Sequence, residues 1–451
     1  MQRRPHTLSA RLRSSFAGAV VLFLALCVIF TLPARAAVPG IAEEIEEPQQ
    51  ISTLDLTAQP DDLWQRIRNG FSMPNLDSPL VADRQAFYLN RPQMLHLILQ
   101  RSRRYLYYIV QELEKRGMPT ELALLPMVES AFNPLAYSPA KALGIWQFIP
   151  STGKNYQLEQ NWWLDERRDI IASTGAALDY LQVIYEMQGD WHLALASYNW
   201  GENAVAKAVE KNRAHGLPTD YLHLKMPGET RYYVPKLQAL KNIIANPEAY
   251  GLTLDPIPNR PYFGTVERPA AMDVTTAAKL AEIPISEFIA LNPAYSRPLI
   301  PDSADSPLVL PTDKVPVFLA NLERHASEEK PLSVWHTYEL TKGDKLDHIA
   351  AQHGITLAYL KKINGIGPKT KVRPGMRLLL PDREAAGASA LLLANLPVTP
   401  EPARAAKPAK GRKGVAARSG KRSTTKAPAR GKSAKVATRS KLAARATHKK
   451  R

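Results

Sequence analysis

Pro119-Thr120-Glu121-Leu122-Ala123-Leu124-Leu125-Pro126-Met127-Val128-Glu129-Ser130-Ala131-Phe132-Asn133-Pro134 is the stretch on which the fold and the chemistry turn. Thr120 is a good helix cap, and the residue before Pro134 is disfavoured in helical conformation, so a short helix is predicted to end near Phe132. On a 3.6-residue period Glu129 lies four residues after Leu125 and seven after Leu122, which places it on the apolar face. It also falls in the last turn, where the helix dipole disfavours negative charge. Desolvation and dipole both raise the pKa of such a carboxyl. A carboxyl that stays protonated near neutral pH is what a general acid needs. Taken alone, the same pattern also describes a glutamate whose stem packs on apolar neighbours while its head reaches water.

Outward from this stretch the helical pattern continues in both directions. Residues 61–117 carry it, most clearly at 94–113, a predicted long amphipathic helix that Gly117 ends. Residues 119–247 are dense in helix patterns, broken at Asn133-Pro134, Gly144, Gly189-Asp190, Gly216 and Gly228. The expectation is an all-α domain over 61–250, closed by the proline-rich stretch 255–261. Five of the seven tryptophans fall between Trp146 and Trp200, among or close to Ser138, Gln147, Asn155, Tyr156, Tyr198 and Asn199. Flat amphipathic rings beside neutral hydrogen-bonding groups suit an uncharged, ring-shaped ligand such as a sugar. The same rings also suit an ordinary helical core.

Two smaller units follow. Residues 282–292 match 354–364 in spacing, with apolar pairs Ile283/Ile355, Ile285/Leu357, Phe288/Leu360 and Leu291/Ile363. Each copy ends in a strand-like run, Leu308-Val309-Leu310-Pro311 and Leu378-Leu379-Leu380-Pro381. In the second copy, 335–340 reads as an edge strand, Asp344 is placed to cap a first helix, and Gly354 to end it. The predicted order is strand, helix, helix, strand: small α+β units at 262–320 and 335–382.

The net charge of +17 belongs to the ends of the chain. Residues 402–451 hold 18 Lys/Arg and no Asp/Glu, and residues 1–36 hold five arginines and no acid. What remains, 37–401, has 36 basic against 42 acidic residues, a net of −6. A basic globular nucleic-acid reader is thereby excluded as the default, and no specific nucleic-acid partner is expected. Residues 383–451, strongly basic from 402, lack the apolar surface to offset their ordering entropy and are expected to be a disordered tail. Such a polycation suits an anionic envelope surface. At the other end, Arg3, Arg4, Arg11 and Arg13 precede an apolar run at 16–32 and the small-x-small pattern Ala34-Arg35-Ala36. Residues 1–36 read as a cleaved secretory signal, with an uncleaved anchor as the alternative, and 37–60 as a linker. The expected location is the periplasm or cell envelope. The lone Cys27 follows Leu26 inside the apolar run, which argues against lipid attachment there and excludes a disulfide framework.

Four ordered segments carry a family resemblance. They are Glu129-Ser130; Gly144-Ile145-Trp146-Gln147-Phe148-Ile149-Pro150 with Thr152-Gly153; Ala196-Ser197-Tyr198-Asn199-Trp200-Gly201; and Glu229-Thr230 with Tyr233-Val234. Over 94–250 the chain resembles the lytic transglycosylase and goose-type lysozyme (SLT) family. Through Tyr338, Gly343-Asp344, Leu346, Ile349-Ala350, Gly354, Leu360, Asn364, Pro374-Gly375 and Leu378, the second small unit resembles a LysM domain. The first lacks the Gly-Asp element and resembles a degenerate one. The resemblance implies a lysozyme-like fold and a lyase that cleaves the β-1,4 bond between N-acetylmuramic acid and N-acetylglucosamine in peptidoglycan. In family terms the product carries a 1,6-anhydro-muramoyl end, and the substrate's own acetamido group stabilises charge at C1. Glu129 would be the catalytic acid and then base. Ser138, Gln147, Tyr198, Asn199 and Tyr233 would line the sugar site, with LysM holding the glycan strands. No metal or organic cofactor is implied, and His192 and His215 stand isolated.

Two other functions stay open at this point. A hydrolysing lysozyme would need a second carboxylate to activate water, for which Asp165, Glu166, Asp169, Asp179 and Asp190 are candidates by position. A wall-binding scaffold with an inactive catalytic domain would need no acid at all.

Overall fold

The computed structural model describes residues 60–302 and 307–382. The signal at 1–36, the linker up to residue 59 and the tail at 383–451 lie outside the described residues. Among those described, no helix is long and apolar enough to cross a membrane.

Four helices open the helical domain: α1 (Leu63–Asn69), α2 (Pro79–Leu89), α3 (Pro92–Ser102) and α4 (Leu106–Lys115). The single helix expected over 94–113 is therefore two. The intervening turn sends Arg104 to Glu287, with nitrogen–oxygen distances of 2.7–3.0 Å, and the Tyr105 hydroxyl to the Ala290 carbonyl at 2.9 Å. A tertiary contact, invisible to helical periodicity, sets that break.

The decisive stretch is divided by Pro126. Residues Thr120–Leu124 form a 3-10 turn, and α5 (Leu125–Ser130) begins anew. Proline has no N–H to give to an earlier carbonyl and is tolerated only in a helix's first turn, so one helix cannot run from 120 through 126. Thr120 consequently does not cap a helix. Its hydroxyl is buried and donates to the Ile67 carbonyl at 2.6 Å. α5 stops two residues short of Phe132, because Ala131 and Phe132 are both left-handed, with φ of 52° and 51°.

The domain continues through α6 (Pro150–Asn155), α7 (Ile170–Gln188), α8 (Trp191–Trp200), α9 (Glu202–Ala214), α10 (Gly228–Arg231) and α11 (Tyr233–Ala245). Asp169 and Asp190 cap α7 and α8, accepting from the backbone N–H groups of Ile171 and Ala172 and of Leu193. The left-handed Gly189 ends α7. α11 is the axis of the domain, buried along most of its length and packed against α1, α2, α5 and α8. Glu121 fastens this centre. Its carboxylate is 1% exposed, accepts from Ser72 N and Met73 N at 3.1 and 2.8 Å, and pairs with Lys241 of α11 at 2.9 Å.

The two small units share an internal device. In the first, β1 (Phe263–Val266), β2 (Met272–Asp273), α12 (Val274–Leu280), α13 (Ile285–Leu291), β3 (Leu299–Ile300) and β4 (Leu308–Pro311) are followed by α14 (Val315–Ser327). α14 runs beyond residue 320. Strand β1 pairs antiparallel with β4, and β2 with β3. The second unit has the expected order: β5 (Trp335–Glu339), α15 (Leu346–Gln352), α16 (Leu357–Ile363), β6 (Arg377–Pro381), with β5 antiparallel to β6. Asn292 and Asn364 play the same part in each. Asn292 Oδ1 accepts from Val309 N while its amide donates to the Phe288 and Val309 carbonyls. Asn364 does likewise with Leu379 N and the Leu360 and Leu379 carbonyls. The repeat seen in sequence is thus a repeat in hydrogen bonding. Asp344 does not cap α15. Its carboxylate closes the preceding turn, accepting from Thr341 N, Thr341 Oγ1 and Tyr338 OH. Gly354 follows α15 in a left-handed conformation, φ 67°, as a helix-ending glycine should.

Candidate active site

The four sequence segments meet around α5, and a closed ring of four hydrogen bonds joins them in turn. Ser130, at the end of α5, donates from Oγ to the Ile145 carbonyl at 2.9 Å. Tyr198 of α8 donates to the Trp146 carbonyl at 2.8 Å. Thr230 of α10 donates to Asn199 Oδ1 at 2.8 Å. Tyr233, the first residue of α11, donates to Glu129 Oε1 and closes the ring. Segments 100 residues apart therefore share one set of directional constraints, which holds each side chain in a single geometry.

Glu129 is half-buried and makes no ion pair among the described residues, in contrast to the fully paired Glu121. Burial pushes its pKa up to about 7. The Tyr233 hydrogen bond and the positive charge of Lys236 pull it down, and the nearby charge of Glu229 pushes it up, all less strongly than desolvation. The expected perturbation is present, with desolvation as its main cause. Burial also raises the hydroxyls of Tyr198 and Tyr233 well above the ordinary tyrosine value, and the Glu129 charge adds to both. Both phenols therefore stay protonated donors at neutral pH. Replacing Tyr233 by Phe removes the hydrogen bond that favours the Glu129 carboxylate. The Glu129 pKa is then expected to rise above its present value, which a pH titration of the side-chain carboxyl by NMR would register.

The other predicted site residues hold the surroundings. Gln147 has a left-handed backbone, φ 53°, and its amide donates to the Gly144 carbonyl at 2.8 Å. Ser138 Oγ accepts from Ala142 N at 3.1 Å and closes the preceding hairpin turn. Neither has a hydrogen bond to Glu129 among the described residues; Tyr233 does, and Tyr198 lies near enough to feel its charge. Ala131, Phe132, Lys141 and Gln147 are four of the seven described non-glycine residues with positive φ. Backbone strain is thus concentrated just after Glu129, the usual mark of a functional constraint.

The tryptophans divide. Trp146 is fully buried and donates to Thr174 Oγ1 at 3.0 Å, so it is core and not a sugar platform. Trp162 is buried as well, while Trp191 is half-buried and stacks on Tyr185 at 4.1 Å. The carboxylates that a hydrolase would need are occupied structurally. Asp165 pairs with Arg167 at 2.7 Å, Glu166 accepts from Glu159 N at 2.7 Å, Asp169 and Asp190 are helix caps, and Asp179 faces Arg116 at 3.6 Å. Among the described acidic side chains, Glu229 has a charge that bears on Glu129. Lys236 escaped the sequence reasoning. It sits three residues after Tyr233 on α11, a spacing that puts both on one helix face, and that spacing was the available signal.

Comparisons with known proteins bear on the family of the chain. The model of the transglycosylase SLT domain matches residues 107–217, which include Glu129, Gln147 and Tyr198. The model described as lytic transglycosylase MltD, LysM-like domain, matches 262–327, and the LysM domain model matches 338–381. The membrane-bound lytic murein transglycosylase D of Escherichia coli (strain K12) is 36% identical over 347 residues, spanning 74% of this chain and 75% of that protein. A membrane-bound lytic murein transglycosylase C of Glaesserella parasuis serovar 5 is 26% identical over 162 residues, 33% of this chain and 41% of that protein. A putative tributyltin chloride resistance protein of Alteromonas sp. (strain M-1) is 45% identical over 120 residues, 26% of this chain and 58% of that protein.

Proposed function

The chain belongs to the lytic murein transglycosylase family, with an SLT domain and LysM domains, and from that premise we propose that Glu129 is its acid and base. It is a peptidoglycan lytic transglycosylase and works in the cell envelope.

In the proposed reaction Glu129 gives its proton to the glycosidic oxygen between N-acetylmuramic acid and N-acetylglucosamine, and the bond from that oxygen to C1 breaks. The carboxylate then takes the proton of the muramoyl C6 hydroxyl as that oxygen bonds to C1. Proton and bond counts balance without water, and a 1,6-anhydro end remains. One carboxyl in two roles suits a site where the five acids that sequence offered for activating water have structural partners among the described residues. Tyr233 occupies Oε1 and so leaves Oε2 to exchange the proton. Thr230 occupies Asn199 Oδ1, which leaves that side chain's NH2 for the sugar. Tyr198 and Gln147 line the reacting sugar, and Ser138 shapes the hairpin beside it.

The observation that carries this assignment is the half-buried Glu129 carboxyl, protonated near neutral pH and held by Tyr233. Digestion of purified peptidoglycan followed by mass spectrometry tests it. Muropeptides one water lighter than hydrolysis products are expected; products of full hydrolytic mass would make the enzyme a lysozyme instead. The domain limits 61–250, 262–320 and 335–382 belong to the same proposal, with the second small unit holding glycan strands and the basic tail facing the anionic envelope surface.

A further inference from the structure

The two small units diverge at one place, and the divergence assigns them different work. After the shared Asn lock, the second unit's loop is open: residues 367–375 are exposed except for a half-buried Thr370. In the first unit the residues that follow Asn292, from Pro293 to Ile300, are all buried. Residues 294–296 of these meet the helical domain, while Leu299 and Ile300 form β3 and pair with β2. Asp165 N donates to the Ala294 carbonyl at 3.0 Å, Ser296 N donates to the Trp163 carbonyl at 2.8 Å, and Leu164 bridges Tyr295. Arg168, fully buried, reaches Ser296 Oγ at 2.6 Å.

From these contacts two routes lead to the site. The Asp165–Arg167 ion pair, buried on both sides, sends Arg167 Nη1 to the Lys141 carbonyl at 2.8 Å and the Phe148 carbonyl at 3.3 Å, at either end of the hairpin that carries Gln147. Leu135, six residues after Glu129, packs against the first unit's own core with Leu164 and Trp163. On the other side the Ala290 carbonyl holds Tyr105, whose ring stacks on Phe132 at 6.0 Å, immediately after the Glu129 helix. Arg104 and Tyr262 clamp Glu287 of α13 beside it.

We propose that the first LysM-like unit is a positioning part of the catalytic site: its 293–300 loop and α13 brace the 131–148 segment, leaving glycan reading to the second unit. This rests on Glu129 being the acid. The strained residues Ala131, Phe132, Lys141 and Gln147 all lie inside the braced segment, and strained backbone persists only where its surroundings over-determine it.

The test uses the full chain with Arg104→Glu, with Glu287→Arg, with both together, and with the milder Tyr105→Phe. Two readouts are needed: kcat and KM on a soluble, uncrosslinked tetrasaccharide of alternating N-acetylglucosamine and N-acetylmuramic acid, and co-sedimentation with insoluble peptidoglycan. Each single charge reversal is expected to lower kcat/KM on the tetrasaccharide by about tenfold, mainly through KM, since small displacements of positioning groups are costly. Tyr105→Phe should lower it in the same direction by less. Sedimentation should not change, and the double charge swap should recover turnover. Unchanged tetrasaccharide turnover in all variants, with or without weaker sedimentation, would overturn the brace. A Glu129→Gln protein that turned over the tetrasaccharide as fast as the parent would instead overturn the assignment of Glu129.

Discussion

Glu129→Gln is expected to lower kcat on peptidoglycan by about a thousandfold, within the range that general acid–base groups supply. The amide can still accept the Tyr233 hydrogen bond, so the ring of contacts survives while the transferable proton does not. The parent enzyme should show the complementary pH behaviour. With a carboxyl that loses its proton at about 7, kcat/KM should fall about tenfold per pH step above that value. A profile flat to pH 8.5, or a Gln variant that clears wall material as fast as the parent, would remove Glu129 from the mechanism. Stability should also fall as pH rises. A carboxyl whose folded pKa lies above its unfolded value binds the proton more tightly when folded. That margin favours the native state at low pH and disappears as pH rises from about 4.5 through about 7. At pH 8 the buried charge is a cost of about 3 kcal/mol, and Glu129→Gln should raise Tm there but not at pH 4. An active-site acid that destabilises its own fold at the working pH is a common trade of stability for function.

Gly144→Ala should be the most damaging glycine substitution. Gly144 has φ 78°, and a methyl group there would sit 2.2 Å from the Arg167 carbonyl oxygen and 3.1 Å from the Arg168 Cα. Those are backbone atoms held by the buried Asp165–Arg167 pair, and they cannot swing aside as a side-chain tip does. Left-handed strain and the clash together should cost about 3 kcal/mol or more, read as a fall in denaturation midpoint. Turnover should fall as well, because Gly144 accepts the Gln147 amide and lies beside Ile145, the partner of Ser130. Gly175→Ala is the control. That residue lies inside α7 with open space around its Cα, and alanine there should stabilise by about 1 kcal/mol through helix propensity. Equal effects at the two positions would mean that the close approach at Gly144 is not what requires glycine.

Much of this was legible in the residues because it depends on local periodicity and composition. The helix-face pairing of Leu125 with Glu129, the repeat around Asn292 and Asn364, and the Gly189-Asp190 break all follow from spacing. The misreadings share a cause as well. Pro126 removes a donor at one position and so splits a pattern that looks continuous on a helical wheel. The turn at 103–105 exists because Arg104 and Tyr105 have partners nearly 200 residues away. Asp344 found nearer donors in Thr341 and Tyr338 than the N-terminus of α15 offered. Trp146 could be sugar platform or core by composition, and only its burial against Thr174 decides it.

The order of residues alone determined an all-α domain followed by two βααβ-type units, and offered Glu129 as a candidate acid, because helix period, dipole and desolvation act within a few residues of one another. It could not say which glutamate of that stretch would be paired with a cation, which tryptophans would be buried, or that one repeat would lie against the helical domain while the other kept an open loop. Those outcomes belong to the tertiary structure. Burial and hydrogen bonding depend on where distant segments arrive, and the ring from Ser130 to Ile145, Tyr198 to Trp146, Thr230 to Asn199 and Tyr233 to Glu129 closes only once all four segments share one place.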